Sequence, residues 1–260
     1  MKLQTEEFLY EVLWMADTIL NPTWNNLLDN FETWAARKGL LRRLHELEHR
    51  RFLEGSPTAS LERILHLTES GRLHALGGRD PEACWARPWD RRWRLVIFDV
   101  PTKHNSARCQ LRRHLRARHF GYLQNSVWIS PDPLNDVRQL LRGTKVDVES
   151  LLFLEADPCG GESNVDIAAG AWDFPGINEA YTRYLAVLKE PRRPETRGDS
   201  ARRSLQAWIR NEQSAWLEAI ELDPLLPKCL CPSGYLGPKA WDARQRAIPE
   251  IRRRWEQLEK

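Results

Sequence analysis

Between Leu40 and Arg51 the chain reads Leu-Leu-Arg-Arg-Leu-His-Glu-Leu-Glu-His-Arg-Arg, which spaces Arg42, His45, Glu46 and His49 three and four residues apart. At about 100° per residue, Leu40, Leu41, Leu44 and Leu47 gather on one side of a helix and this polar set faces the other. The chemistry available to that face is base-edge recognition. Arginine can take a guanine in two parallel hydrogen bonds, glutamate can accept from a cytosine amino group, and neutral histidine can donate or accept. Arg43, Arg50, Arg51 and Arg63 surround the set and suit phosphate oxygens, which confer affinity without sequence information.

Charge is unevenly distributed along the 260 residues, and a polyanion senses distribution more than the formal total of +3. The first 36 residues carry one lysine against six carboxylates, whereas Arg37–Arg51 carries six basic residues against two acidic ones. A second basic block, Arg108, Arg112, Arg113, Arg116 and Arg118, contains no acid. Only eight of the 39 basic residues are lysine, so the planar guanidinium fork predominates.

Forty-two per cent hydrophobic and 29% charged residues are ordinary globular proportions, which excludes wholesale disorder and a collagen-like fibre. No apolar run approaches the roughly 18–20 residues that span a bilayer. Glu6, Glu7 and Glu11 interrupt the N-terminus where a secretory signal needs a basic start and an unbroken apolar segment, so export is not expected. Cys84, Cys109, Cys159, Cys229 and Cys231 form an odd set with no C-x-x-C pair, which fits neither a disulfide framework nor a zinc finger and points to a reducing cytoplasm. Cys229-x-Cys231 has no neighbouring histidine, and no metal is assigned to it.

The elements that must position these residues follow from periodicity. Apolar spacing predicts helices over about Thr5–Leu20, from Thr23 or Asn25 through Trp34, and around Gly39 through Leu47. A turn cluster at Gly55-Ser56-Pro57-Thr58 and a returning strand at Ile64–Leu67 complete three helices and a two-stranded ribbon, the order of a winged helix-turn-helix. Thr68–Arg72 reads as a capped short helix, and Gly77–Asp90 as a linker. Next come a strand from Trp93 to Pro101, a helix from Ser106 to Arg118 with Cys109, Leu111 and Leu115 inward, a strand over Gly121–Ile129, a helix over Pro133–Arg142 and a strand over Val148–Leu154. With a short fourth strand this is a ferredoxin-like βαββαβ unit. Helical patterns over Gly176–Lys189, Ser200–Ile220 and Pro238–Glu259, with a charged loop at Glu190–Ser200, make the tail all-helical. The expected class is therefore α+β, with a winged helix-turn-helix domain at 1–84, a ferredoxin-like dimerisation domain at 85–170 and a helical domain at 171–260.

Trp93-Arg94-Leu95-Val96-Ile97-Phe98-Asp99-Val100-Pro101, followed by Arg108, Leu111, Leu115, Gly121 and Ser126-Val127-Trp128-Ile129-Ser130-Pro131, resembles the central domain of the PaaX family of bacterial transcriptional repressors. The likeness extends upstream through Leu44–Leu47, Phe52-Leu53 and Leu67–Arg72. Downstream it takes in Ala171-Trp172-Asp173, Tyr181, and Asp223-Pro224-Leu225-Leu226-Pro227 through Gly237 and Ala240. The resemblance implies a homodimer that binds double-stranded DNA and is governed by an acyl-coenzyme A effector, with no enzymatic activity. Two departures stand out. Arg51 occupies a position where the family often has glycine, and Gly234-Tyr235-Leu236-Gly237 replaces its usual Trp-Pro-Gly turn.

Within that frame the arginine block, represented by Arg108, Arg112 and Arg116, is either a solvated helix face or the place where coenzyme A phosphates meet guanidinium groups. Trp85 and Trp89 either fill a core or cover an apolar ligand. The central segment is also similar to the small ferredoxin-fold subunit of CRISPR spacer acquisition, with Asp99 at the end of the first strand and Gln124-Asn125-Ser126-Val127 in the second. That likeness implies, as the alternative to a structural or helix-capping Asp99, a metal-dependent nuclease in which two Asp99 carboxylates share a divalent cation across a dimer. Asp99 is the only carboxylate from Trp93 to Pro131.

Overall fold

The structure is a computed structural model that describes residues 41–57, 63–75, 77–99, 105–134, 150–158, 160–189 and 199–259. The helices expected over Thr5–Leu20 and Thr23–Trp34, and the body of the one expected over Pro133–Arg142, lie outside the described residues. The chain divides into two compact units. One takes the described residues up to Asp80 with Ala180–Glu221 and those from Leu236 onward; the other takes Pro81–Glu179 and Leu222–Tyr235.

In the first unit, helix α1 (Leu41–His49) buries Leu44 and Leu47 completely, as its leucine spacing requires, while Leu41 is left exposed. The helix ends in a Schellman motif: the Phe52 N–H bonds the Leu47 carbonyl and the Arg51 N–H bonds the Glu48 carbonyl. Arg51 carries the left-handed φ of 58° that this motif demands, a conformation glycine adopts without strain. Strands β1 (Leu53–Pro57) and β2 (Arg63–Leu67) pair antiparallel from Leu53 opposite Leu67 to Pro57 opposite Arg63. Gly55, Ser56 and Pro57, read from sequence as a turn, thus belong to the first strand of the ribbon. Thr68 Oγ1 donates to the Arg51 carbonyl at 2.8 Å and accepts from the Gly71 N–H at 3.0 Å. One side chain therefore caps helix α2 (Glu69–Ala75) and ties it to the end of α1. Phe52 stacks on His74 with ring centroids 4.7 Å apart.

The second unit contains helix α3 (Pro81–Ala86), within the segment read as a linker, and a four-stranded antiparallel sheet. Its strands are β3 (Trp93–Asp99), β4 (Gly121–Gln124), β5 (Val127–Ser130) and β6 (Ser150–Ala156), in spatial order β4-β5-β3-β6. Helix α4 (Asn105–Ala117) connects β3 to β4. This strand order is that of the βαββαβ unit. The single strand expected over Gly121–Ile129 is instead a hairpin, because Asn125 turns the chain at φ 47°; asparagine tolerates that conformation better than most residues. Val96, Phe98 and Trp128 face α4 and form a core with its Leu111 and Leu115 and with Phe120. Cys109, expected inward, is exposed; at about 100° per residue it lies some 160° from Leu111.

Arg94 is buried, and its charge is met by Asp90, which accepts from Nη1 at 2.8 Å, and by Glu155, which accepts from Nε at 3.3 Å. The hydrogen bond from Arg94 holds the Asp90 carboxyl well below the usual range, at about 2. A depressed folded-state pKa contributes stability above the unfolded value near 4 and loses it as pH falls toward 2. Asp90→Asn is therefore expected to be less stable than the parent at neutral pH, with the gap closing between about pH 4 and pH 2. Denaturant unfolding across that range checks it; a gap independent of pH would contradict it.

Helix α5 (Asn164–Ala171) was not expected, although Ser163 and Asp166 form a full capping box: the Ser163 hydroxyl accepts from the Asp166 N–H at 3.2 Å and the Asp166 carboxylate accepts from the Ser163 N–H at 3.3 Å. Helices α6 (Phe174–Lys189), α7 (Asp199–Leu222) and α8 (Gly237–Glu259) match the three helical patterns of the tail.

Candidate nucleic-acid interface

With Leu44 and Leu47 anchored, α1 exposes Arg42, His45 and His49, and Glu46 is half-buried. Glu46 accepts a 3.3 Å ion pair from Arg50 one turn on, and His45 Nδ1 lies 3.6 Å from Glu48. Both contacts join residues one turn apart along α1 and its end, so they orient side chains along its surface and contribute only a few tenths of a kcal/mol. Arg50 and Arg51 are exposed where α1 hands over to the ribbon, Arg43 lies on α1, and Arg63 begins β2. The residues that spacing assigned to base reading thus share one helix. Those assigned to phosphate lie on it, at its end, or in the paired strand that follows.

The second basic set lies on α4. Arg108 and Arg112 are half-buried, Arg116 is exposed, and the three follow at intervals of one turn. Arg112 Nη2 donates to the Asn125 carbonyl at 3.1 Å, and the Arg116 guanidinium sits 5.8 Å over the Trp128 ring. Trp128 itself is fully buried, and among the described residues its indole N–H has no partner. Nothing in the sequence signals that donor, whose surroundings depend on how separate segments pack. Trp89 is not brought to these arginines. It packs against Trp93 at 5.3 Å and donates to the Arg92 carbonyl at 3.1 Å, and Trp93 projects from the sheet face opposite Val96, Phe98 and Trp128.

Asp99 is exposed at the last position of β3, opposite Ser150. Among the described residues no group of three or more His, Cys, Asp or Glu could hold a metal ion. Among the described residues Cys84, Cys109, Cys229 and Cys231 form no disulfide. Burial first, and the Asp223 charge second, push the Cys231 thiol up to about 12, which leaves it un-ionised and unreactive at neutral pH. Among the described residues no helix is long and apolar enough to cross a membrane.

Strand order, crossover helix and core together define a ferredoxin-like domain that follows a basic helix and ribbon. Residues 86–168 match the family model described as the PaaX protein central Cas2-like domain. The match is confined to this segment, about a third of the chain, which is thus similar to the central domain of PaaX proteins. Among solved structures the chain is similar to the uncharacterized protein Rv0674 from Mycobacterium tuberculosis, with 22% identity and a TM-score of 0.50 over 86% of this chain and 85% of that one. At that identity the likeness is one of fold. No curated protein matches the chain.

Proposed function

We propose that this chain is a homodimeric, sequence-specific DNA-binding transcriptional repressor of the PaaX type, released from its operator by an acyl-coenzyme A thioester. The observation that carries the reading is α1. Its Leu44 and Leu47 are fully buried, its Arg42, His45 and His49 are exposed, and it passes directly into an antiparallel ribbon. A helix of this kind fits a major groove, and the ribbon after it fits the flanking backbone. Arg42, His45, Glu46 and His49 read bases, and Arg43, Arg50, Arg51 and Arg63 hold phosphates. A second copy covers the sheet face turned away from α4, where Leu152 is 53% and Leu154 47% exposed beside Leu95 and Ile97; exposed leucines in such a row favour burial against another surface. Asp99 has no catalytic part in this reading.

Genomic fragments captured by the protein supply the operator, and fluorescence anisotropy against operator and random duplexes over a salt series supplies the test. Arg42→Ala is expected to relax preference at one base pair by about 1–3 kcal/mol. Arg51→Gly weakens all duplexes alike and flattens the salt slope by about one. The same Arg51→Gly change raises unfolding stability by about 1 kcal/mol by relieving the left-handed backbone, so weaker binding cannot be ascribed to unfolding. Equal loss on operator and random DNA from Arg42→Ala would reject base reading, and salt-independent binding would reject the whole reading.

A further inference from the structure

The outward side of α4 is built from arginine and carries no carboxylate of its own. At about 100° per residue, Cys109, Arg112, Arg113 and Arg116 fall within about 100° of one another, opposite the buried Leu111 and Leu115. Cys109, Arg113 and Arg116 are exposed; Arg112 is half-buried, and its Nη2 donates to the Asn125 carbonyl at 3.1 Å. The Arg116 guanidinium rests 5.8 Å over the Trp128 ring, which braces the side chain and leaves its charge in place. The chain has no carboxylate from Asn105 to Pro131. Elsewhere exposed arginines are interleaved with acids: Arg50 meets Glu46 and Arg254 meets Glu250 one turn away, and Arg183 on α6 meets Glu218 on α7. Among the described residues neither Arg113 nor Arg116 has such an ion pair.

Arg112 and Arg116 stand four residues apart and Arg113 and Arg116 three, spacings at which like charges on a helix repel. That repulsion works against the free helix and is relieved when a polyanion lies along it. The outward side of a helix is convex and presents its cations side by side, which suits a row of phosphates better than one small anion. Each of these cations is arginine, whose planar fork bonds phosphate oxygens in pairs. We infer that the outward side of α4, through Arg112, Arg113 and Arg116, is a second DNA-contacting surface, one that holds the sugar–phosphate backbone of a duplex without reading its bases. The inference rests on the DNA-binding reading of α1 and extends it to the other compact unit. Helix α1 selects the sequence, and α4 adds affinity that is indifferent to it.

The test measures duplex binding by the full chain, using fluorescence anisotropy over a salt series. Arg113→Gln and Arg116→Gln are each expected to flatten the slope of log affinity against log salt by about 0.9, the change that follows the loss of one phosphate contact. Operator and random duplexes weaken together, so the ratio of their affinities stays that of the parent. Arg113→Lys keeps the parent slope, as does Arg183→Gln, which removes an exposed arginine from α6. Proximity is read from Cys109, one turn before Arg113 on the same side of α4. Iron–EDTA attached through a maleimide is expected to cleave the bound duplex at positions that are spared when the labelled protein is Cys109→Ser. Parent slopes in both glutamine variants, a cleavage pattern that Cys109→Ser leaves unchanged, or tighter binding of single-stranded RNA than of duplex that the same variants abolish would overturn the inference. The base preference removed by Arg42→Ala reports α1 independently, so failure of the α4 surface and failure of the repressor reading are told apart.

Discussion

Glu212→Ala is expected to lower the unfolding free energy by about 3–5 kcal/mol, the largest loss from any single side chain considered for this protein. Glu212 is 0% and Arg244 1% exposed, and Arg244 Nε donates to Glu212 Oε1 at 3.1 Å. The same oxygen accepts from the Tyr184 hydroxyl at 2.8 Å, and the Arg244 guanidinium lies 5.1 Å over the buried Trp216 ring. Removing the carboxylate leaves a cation among Tyr181, Tyr184, Trp216 and Trp241, where water cannot solvate it and arginine does not shed its proton. The loss comes from a buried cation deprived of its facing carboxylate more than from the missing packing. Accordingly, Glu212→Leu combined with Arg244→Met is expected to recover most of the stability, since apolar side chains can replace a buried ion pair at little net cost. Chemical denaturation of the four members of the cycle checks this. A Glu212→Ala loss under about 1 kcal/mol, or a double variant worse than the sum of its parts, would count against the account.

That pair also shows where sequence reading stops. Helices α7 and α8 were legible because their apolar residues recur at three and four, and the leucines of α1 announced which side would be buried. Glu212 and Arg244 looked like any other charged positions on those helices, since nothing local says that two charges 32 residues apart will meet in a core. The sheet was read in type, because Trp93–Phe98 is a mostly apolar run closed by Pro101, as a buried strand is. The hairpin was hidden because Asn125-Ser126 offers no glycine or proline to mark the turn. Helix α5 was hidden because its alanine-rich run has a weak apolar stripe, although its Ser163-x-x-Asp166 box was readable. In the candidate interface the residue types and spacing were visible from the start. What the sequence withheld was the strained Arg51 backbone and the unmet Trp128 donor, both consequences of packing between segments.

Gly121→Ala is expected to cost about 2–3 kcal/mol, although it adds a single methyl group at the start of an edge strand. A Cβ at Gly121 would stand 2.8 Å from the Ala171 Cβ and 2.8 Å from Cε2 and Cζ2 of Trp172, closer than carbon atoms pack. The strand backbone is smooth here so that the indole can lie directly on it. Trp172 cannot retreat cheaply, because its N–H donates to the His119 carbonyl at 3.0 Å and its ring lies 6.2 Å from that of Trp93. His119 is itself held in the left-handed conformation, φ 60°, that closes α4, so the carbonyl the indole seeks is fixed by the end of that helix. The clash must therefore be relieved by moving α5 and Trp172 off the sheet, or by bending β4 away from β5. Shortening the opposing side chain isolates the first route. Trp172→Leu removes the two ring atoms that the new methyl would meet, so in the Trp172→Leu background Gly121→Ala is expected to cost at least about 1 kcal/mol less than in the parent. Thermal or denaturant unfolding of the four proteins measures that coupling, and additive effects of the two substitutions would show that the indole does not set the requirement for glycine.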